Sequence, residues 1–220
     1  MKVIISLLLA LLPATLAIVF SAAGRAGDAD TAVSSRGGHV QAKAEYCQDC
    51  HGLSGQGYAG YLIMPRLAGQ TAEYFENQLR AFAERRREKD LFIDMAKVHG
   101  LSPAMRTALA AHFSGLNPRP FGGAPKQLVA TGRKLYEEGA AEANVPACSA
   151  CHGPEAKGQE AIPRLAGQLY PYTIKELRNW SQERGHGSAK DDTSAVMLPI
   201  AHNLTRTQIA AIAAYLSYLK

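Results

Sequence analysis

Cys47-Gln48-Asp49-Cys50-His51-Gly52 and, further along, Cys148-Ser149-Ala150-Cys151-His152-Gly153 hold all four cysteines of this 220-residue chain. Each segment is C-x-x-C-H, the attachment signature of c-type haem. Two thiols this close at the end of a helix reach both vinyl groups of one macrocycle as thioethers. The histidine that follows then falls under the iron as an axial ligand. The glycine after each histidine lets the backbone pass the flat ring without a side chain. Zinc would give no reason for a histidine after both pairs. A thioredoxin-like redox pair would need a βαβ setting that the chain lacks. A disulfide within either pair would close a very small loop. Two covalently bound haem c groups are therefore expected, with Cys47, Cys50, Cys148 and Cys151 as thioether sites and His51 and His152 as iron ligands.

Outward from these motifs the chain repeats itself, which fixes architecture before any single element does. Pro65-Arg66-Leu67-Ala68-Gly69-Gln70 recurs letter for letter as Pro163-Arg164-Leu165-Ala166-Gly167-Gln168, and a tyrosine stands four residues after each glutamine, Tyr74 and Tyr172. Apolar residues then follow at helical spacing over Thr71 to Arg87 and over Tyr172 to Arg184. Each half closes on a capped helix. Ser102-Pro103 opens one that carries Met105, Leu109 and Phe113, and Thr205 opens one that carries Ile209, Ile212 and Leu216. The helices leading into the haem motifs are expected at His39 to Tyr46 and Pro125 to Glu138. No strand pattern competes. The fold class is all-α: an N-terminal domain over 39–117, a Pro- and Gly-rich linker over 118–124 and a C-terminal domain over 125–220.

Lys2 followed by the uncharged apolar run Val3 to Phe20 and the small residues Ser21 to Gly24 reads as a signal peptide over 1–26, then a disordered leader over 27–38. The mature chain is accordingly expected in the periplasm. Contact with a membrane would come only through an uncleaved leader or a membrane-bound partner. The formal charge of +5 does not imply nucleic acid, because two haems bring roughly four propionate charges against it. The densest basic run, Arg85-Arg86-Arg87, is flanked by Glu84, Glu88 and Asp90 and reads as a solvated helix end.

Iron that cycles between oxidation states needs a distal ligand, and methionine supplies one while raising the potential. Met197, shortly before the terminal helix, is the candidate in the second half, and Met95 in the first. The segment carrying Met95 is one residue shorter, and an ungapped alignment would place Asp94 opposite Met197. Met64, His99 or an open position are the alternatives to Met95. His99 and His202 each sit three residues before an N-cap and read as structural or surface residues; His39, His112 and His186 have no such framing. A carbonyl of the repeated loops, opened by Pro65 and Pro163, is the candidate acceptor for each ligating imidazole. Arg66 and Arg164 are candidate partners of the haem propionates.

Together the two C-x-x-C-H-G motifs, the two PRLAGQ segments with their tyrosines and the methionine before a terminal helix resemble the dihaem cytochrome c4 family of class I cytochromes c. That resemblance implies two tandem cytochrome c domains about a pseudo-twofold axis, propionates facing each other at their interface and His/Met ligation at both irons. It also implies a non-enzymatic carrier that moves electrons between a respiratory donor and a terminal oxidase or reductase through transient contacts. Two alternatives accompany it: a cytochrome subunit of a periplasmic dehydrogenase, as in flavocytochromes that oxidise sulfide, and a haem enzyme whose first iron is open.

Overall fold

A computed structural model of the chain describes residues 26–87, 95–184 and 193–220. The chain divides into two compact units, Met1–Gly37 and Gly38–Lys220. Of the first, the described part is helical backbone from Ala26. Both halves of the repeat lie in the second.

The expected leader differs from the structure. Backbone over 26–38 is not irregular but belongs to α1 (Ala26–His51), which runs unbroken into the first haem motif. No proline stands between Ala26 and His51, and the three glycines there, Gly27, Gly37 and Gly38, at about 1 kcal/mol each do not stop a helix by themselves. The proposed signal sequence up to Arg25 lies outside the described residues.

After α1 a two-residue antiparallel pair, β1 (Tyr58–Ala59) with β2 (Ile63–Met64), closes a small loop where no strand was expected. Then come α2 (Ala72–Ala83) and α3 (Pro103–Ser114). Ser102 caps α3 as anticipated, its hydroxyl accepting from the Met105 N–H at 3.2 Å. The two helices bury Leu79, Leu109 and the stacked pair Phe75 and Phe113, ring centroids 5.2 Å apart.

The second half starts with a 3-10 turn over Lys126–Leu128 leading into α4 (Val129–Glu138), followed by α5 (Ser149–His152). The expected helix over 172–184 begins earlier, as α6 (Tyr170–Arg178), and breaks at Asn179 before α7 (Trp180–Glu183). Met197 opens α8 (Met197–Asn203), and α9 (Arg206–Tyr218) ends the chain. Thr205 and Gln208 form a reciprocal capping box at the start of α9. Tyr136, Ile209, Ile212 and Leu216 make the core of this half. Both ends of the linker are pinned, Arg66 donating to the Pro118 carbonyl at 2.9 Å and Tyr218 to that of Ala124 at 2.5 Å.

α4 and α9 cross at Gly132, where an added Cβ would lie 1.9 Å from the Ala211 carbonyl oxygen. Backbone cannot yield as a flexible side chain does. Gly132→Ala is therefore expected to lower holoprotein stability by at least about 3 kcal/mol, the upper end of ordinary overpacking, read as a lower denaturant midpoint at unchanged m-value.

Candidate functional site

The last turn of α1 places Cys47, Cys50 and His51 at i, i+3 and i+4, one face of a helix. In the second half Cys148 precedes α5, and Cys151 and His152 end it. All four thiols are free. Burial raises the Cys47 thiol above its ordinary pKa and pushes that of Cys148 up to about 11. The following glycines take φ +83° at Gly52 and +78° at Gly153, a left-handed conformation that stops each helix at its histidine. This is a backbone reason for glycine that adds to the ring clearance read from sequence.

Each imidazole is buried and fixed from behind. His51 Nδ1–H donates to the Pro65 carbonyl and His152 Nδ1–H to the Pro163 carbonyl, both at 2.9 Å. The prolines opening the repeated hexapeptides are thus where the acceptors sit. A carbonyl can only accept, so each Nδ1 carries the proton and each Nε2 keeps its lone pair. Burial, opposed by that carbonyl, lowers both imidazole pKa values and keeps the rings neutral. A neutral imidazole oriented through its other nitrogen is the form in which histidine binds a metal.

Both motifs open into one largely apolar cavity of about 530 Å³ between the halves. Its walls include all four cysteines, both histidines, Arg66 and Arg164, and three methionines, Met64, Met95 and Met197. Met95 starts a 3-10 turn over Met95–Gly100 and packs on the first core; Met64 is buried in β2. The structure thus brings both Met95 and its alternative Met64 to the cavity. The side chain of His99, and Asp94 and His186 altogether, fall outside the described residues. His202 and His39 are exposed and His112 lies beside Phe113, all away from the cavity wall.

Arg66 and Arg164, 4% and 8% exposed, donate through Nε to the carbonyls of Ala68 and Ala166. Arg66 Nη1 and Arg164 Nη2 are buried without a partner. Burial, and then the like charge of Arg164, bring the Arg66 pKa down to about 10. Two buried cations among the residues that line an apolar cavity suit a ligand that carries carboxylates. Apolar walls, two free thiol pairs, two neutral imidazoles and these guanidiniums together fit a propionate-bearing macrocycle in each half.

One group of site residues had no sequence signal. Glu176 on α6 pairs with Arg184 and, at 3.3 Å, with Arg87. Arg87 also donates to the Tyr172 hydroxyl at 2.9 Å, and Arg184 to that of Tyr74 at 2.8 Å. The two repeated tyrosines therefore bind arginines of opposite halves. Arg87, read from its neighbours as solvated, has a side chain only 11% exposed. α2 stops at Ala83, and Arg85 at φ +57° turns the chain so that Arg86 and Arg87 N–H groups both return to the Ala81 carbonyl.

The cytochrome c family model matches residues 36–118 and again 129–220. A thiosulfate dehydrogenase electron acceptor from Thiomonas intermedia is 37% identical over 80% of this chain and 79% of its own length. Cytochrome c4 from Thiocapsa roseopersicina is 36% identical over 81% and 90% respectively. The solved cytochrome c4 of Acidithiobacillus ferrooxidans superposes with a TM-score of 0.67 at 34% identity, covering 79% of this chain and 98% of that one. A family match falling twice, once on each half of an all-α repeat whose two cysteine pairs share a cavity, has one meaning: the chain belongs to the cytochrome c family, as a dihaem electron-transfer protein of the cytochrome c4 type with two covalently bound haem c groups.

Proposed function

We propose that this cytochrome is a periplasmic carrier, not itself an enzyme, that takes electrons from a respiratory donor and delivers them through transient contacts to a terminal oxidase or reductase. The observation that supports it most is the single cavity bordered by both attachment motifs, which lets two redox groups share one apolar interior. Haem supplies a one-electron iron couple when bound. His51 and His152 would hold the iron through the Nε2 lone pair while each Nδ1–H stays on its proline carbonyl. Met197 and Met95 would supply the second iron ligands, Arg66 and Arg164 would place positive charge beside the propionates, and Phe75, Leu79 and Leu216 line the cavity with apolar surface. Export rests on Lys2 and the apolar run after it. Among the described residues no helix is long and apolar enough to cross a membrane.

The name of the Thiomonas relative favours one refinement: the donor is a dehydrogenase that oxidises a reduced sulfur compound. The sulfide-oxidising flavocytochrome reading is the same arrangement with a tighter partner. A haem enzyme with an open first iron is the remaining reading.

Ferric optical and EPR spectra of the holoprotein test the assignment, with Met95→Ala, Met197→Ala and Met64→Leu alongside. Both irons are expected to be low-spin with sulfur-to-iron charge-transfer intensity, and Met95→Ala and Met197→Ala each to remove about half of it. Met64→Leu should leave it intact. A high-spin iron in the parent protein would overturn the carrier reading for the first haem and favour the enzyme, whereas a low-spin parent that responds to Met64→Leu and not to Met95→Ala would overturn only the assignment of Met95 and put Met64 in its place.

A further inference from the structure

The letter-for-letter repetition of Pro-Arg-Leu-Ala-Gly-Gln has a geometric counterpart. Gln70 reaches into the other half and takes both backbone groups of Arg164, its Oε1 accepting the N–H at 2.6 Å and its Nε2 donating to the carbonyl at 3.1 Å. Gln168 does the same to Arg66, at 2.9 and 3.1 Å. Each Oε1 also accepts the N–H of the residue after its own glutamine, Thr71 or Leu169, so the amide is held in one orientation.

The peptide group that receives each glutamine is the one that orients a proximal histidine. Between Pro65 and Arg66, the carbonyl accepts from His51 and the N–H donates to Gln168. Between Pro163 and Arg164, the carbonyl accepts from His152 and the N–H donates to Gln70. One peptide unit therefore joins the imidazole of each half to the glutamine of the other. Hydrogen bonds in series polarise one another. When Oε1 draws on the Arg66 N–H, the Pro65 oxygen becomes a stronger acceptor, and the His51 ring gains electron density at Nε2. A more basic imidazole favours the oxidised iron.

We propose that Gln168 and Gln70 are crossed positioning residues, each setting the donor strength of the proximal histidine in the opposite half and so the potential of that half's haem. The inference rests on the reading of His51 and His152 as iron ligands. It requires no movement of the halves.

The test uses the holoprotein with Gln168→Met and Gln70→Met, which keep side-chain size and lose both polar groups, and with Gln168→Glu, which retains a stronger acceptor. Two quantities are read: the midpoint potential of each haem, and the ring Nδ1–H proton resonances of the reduced protein, assigned through the backbone connectivities of residues 50–52 and 151–153. Gln168→Met is expected to raise the potential of the N-terminal haem and move the His51 resonance upfield, leaving that of His152 in place. Gln70→Met should give the mirror image. Gln168→Glu should displace the His51 resonance in the opposite sense, which mere loosening of the interface would not do. Shifts confined to the substituted half, equal shifts at both haems, or the same sign for methionine and glutamate would overturn the proposal and leave the glutamines as clasps only. Failure of the ligand reading would show separately, as ring resonances in the unsubstituted protein that lack the displacement imposed by a bound macrocycle.

Discussion

Replacing Cys47, Cys50, Cys148 and Cys151 together by alanine is expected to leave a chain without fixed tertiary structure. The cavity that both motifs border measures about 530 Å³. At the roughly 24 cal/mol per Å³ found for cavities left by core truncations, a void of this size costs about 13 kcal/mol. Net stabilities of whole domains run to about 5–15 kcal/mol. The side chains that remain cannot offset such a loss, because the largest ones fully buried are Tyr136, Phe113, Leu109 and Leu216, a small core for two domains. Water entering the cavity would relieve part of the void but would also wet its apolar walls. The expected signature is reduced far-UV ellipticity, absent near-UV structure and a non-cooperative thermal trace. A cooperative transition in the cysteine-free chain would show that protein side chains alone specify the fold. Removing only Cys148 and Cys151 should loosen the first half as well, because Gln168 and Arg184 reach into it.

Features whose physics is local were legible in the residues. The attachment motif keeps its whole chemistry within five positions. The caps at Ser102 and Thr205 depend on partners three residues away, Met105 and Gln208. Element ends were harder to read. The helix over 71–87 is amphipathic as written, yet it stops at Ala83 because the backbone reverses at Arg85, and nothing in the pattern of apolar residues marks that position. The break at Asn179 is of the same kind. Contacts between the halves were out of reach. Arg87 was judged by Glu84, Glu88 and Asp90, whereas the carboxylate it binds is Glu176, brought near only by the pairing of the domains. Repetition of Gln70 and Gln168 signalled a shared constraint without saying that each satisfies it in the other half.

That buried ion cluster yields the second large effect. Glu176→Gln is expected to cost about 3–5 kcal/mol, the range for breaking a buried pair by removing one partner. The cost arises from what stays behind: Arg184 and Arg87, 5% and 11% exposed at the side chain, would face each other without an anion. Burial by itself would raise the carboxyl pKa, but Arg184 and then Arg87 outweigh it and hold Glu176 below its ordinary value of 4.5. Burial likewise opposes charge on Arg184, and Glu176 reverses this, holding its pKa well above normal. A carboxylate whose folded pKa is depressed stabilises the protein fully above its unfolded pKa, and the gain is lost as pH falls through the folded value. Denaturant midpoints of the holoprotein should therefore drop on acidification below the ordinary carboxylate range, and Glu176→Gln should remove this group's part of that dependence. The triple change Glu176→Leu, Arg87→Met, Arg184→Met should recover most of the loss, since apolar replacement of a whole buried cluster is often neutral or better. A loss under about 1 kcal/mol for Glu176→Gln alone would place the cluster with solvent-screened surface pairs and would mean that water reaches it between the halves.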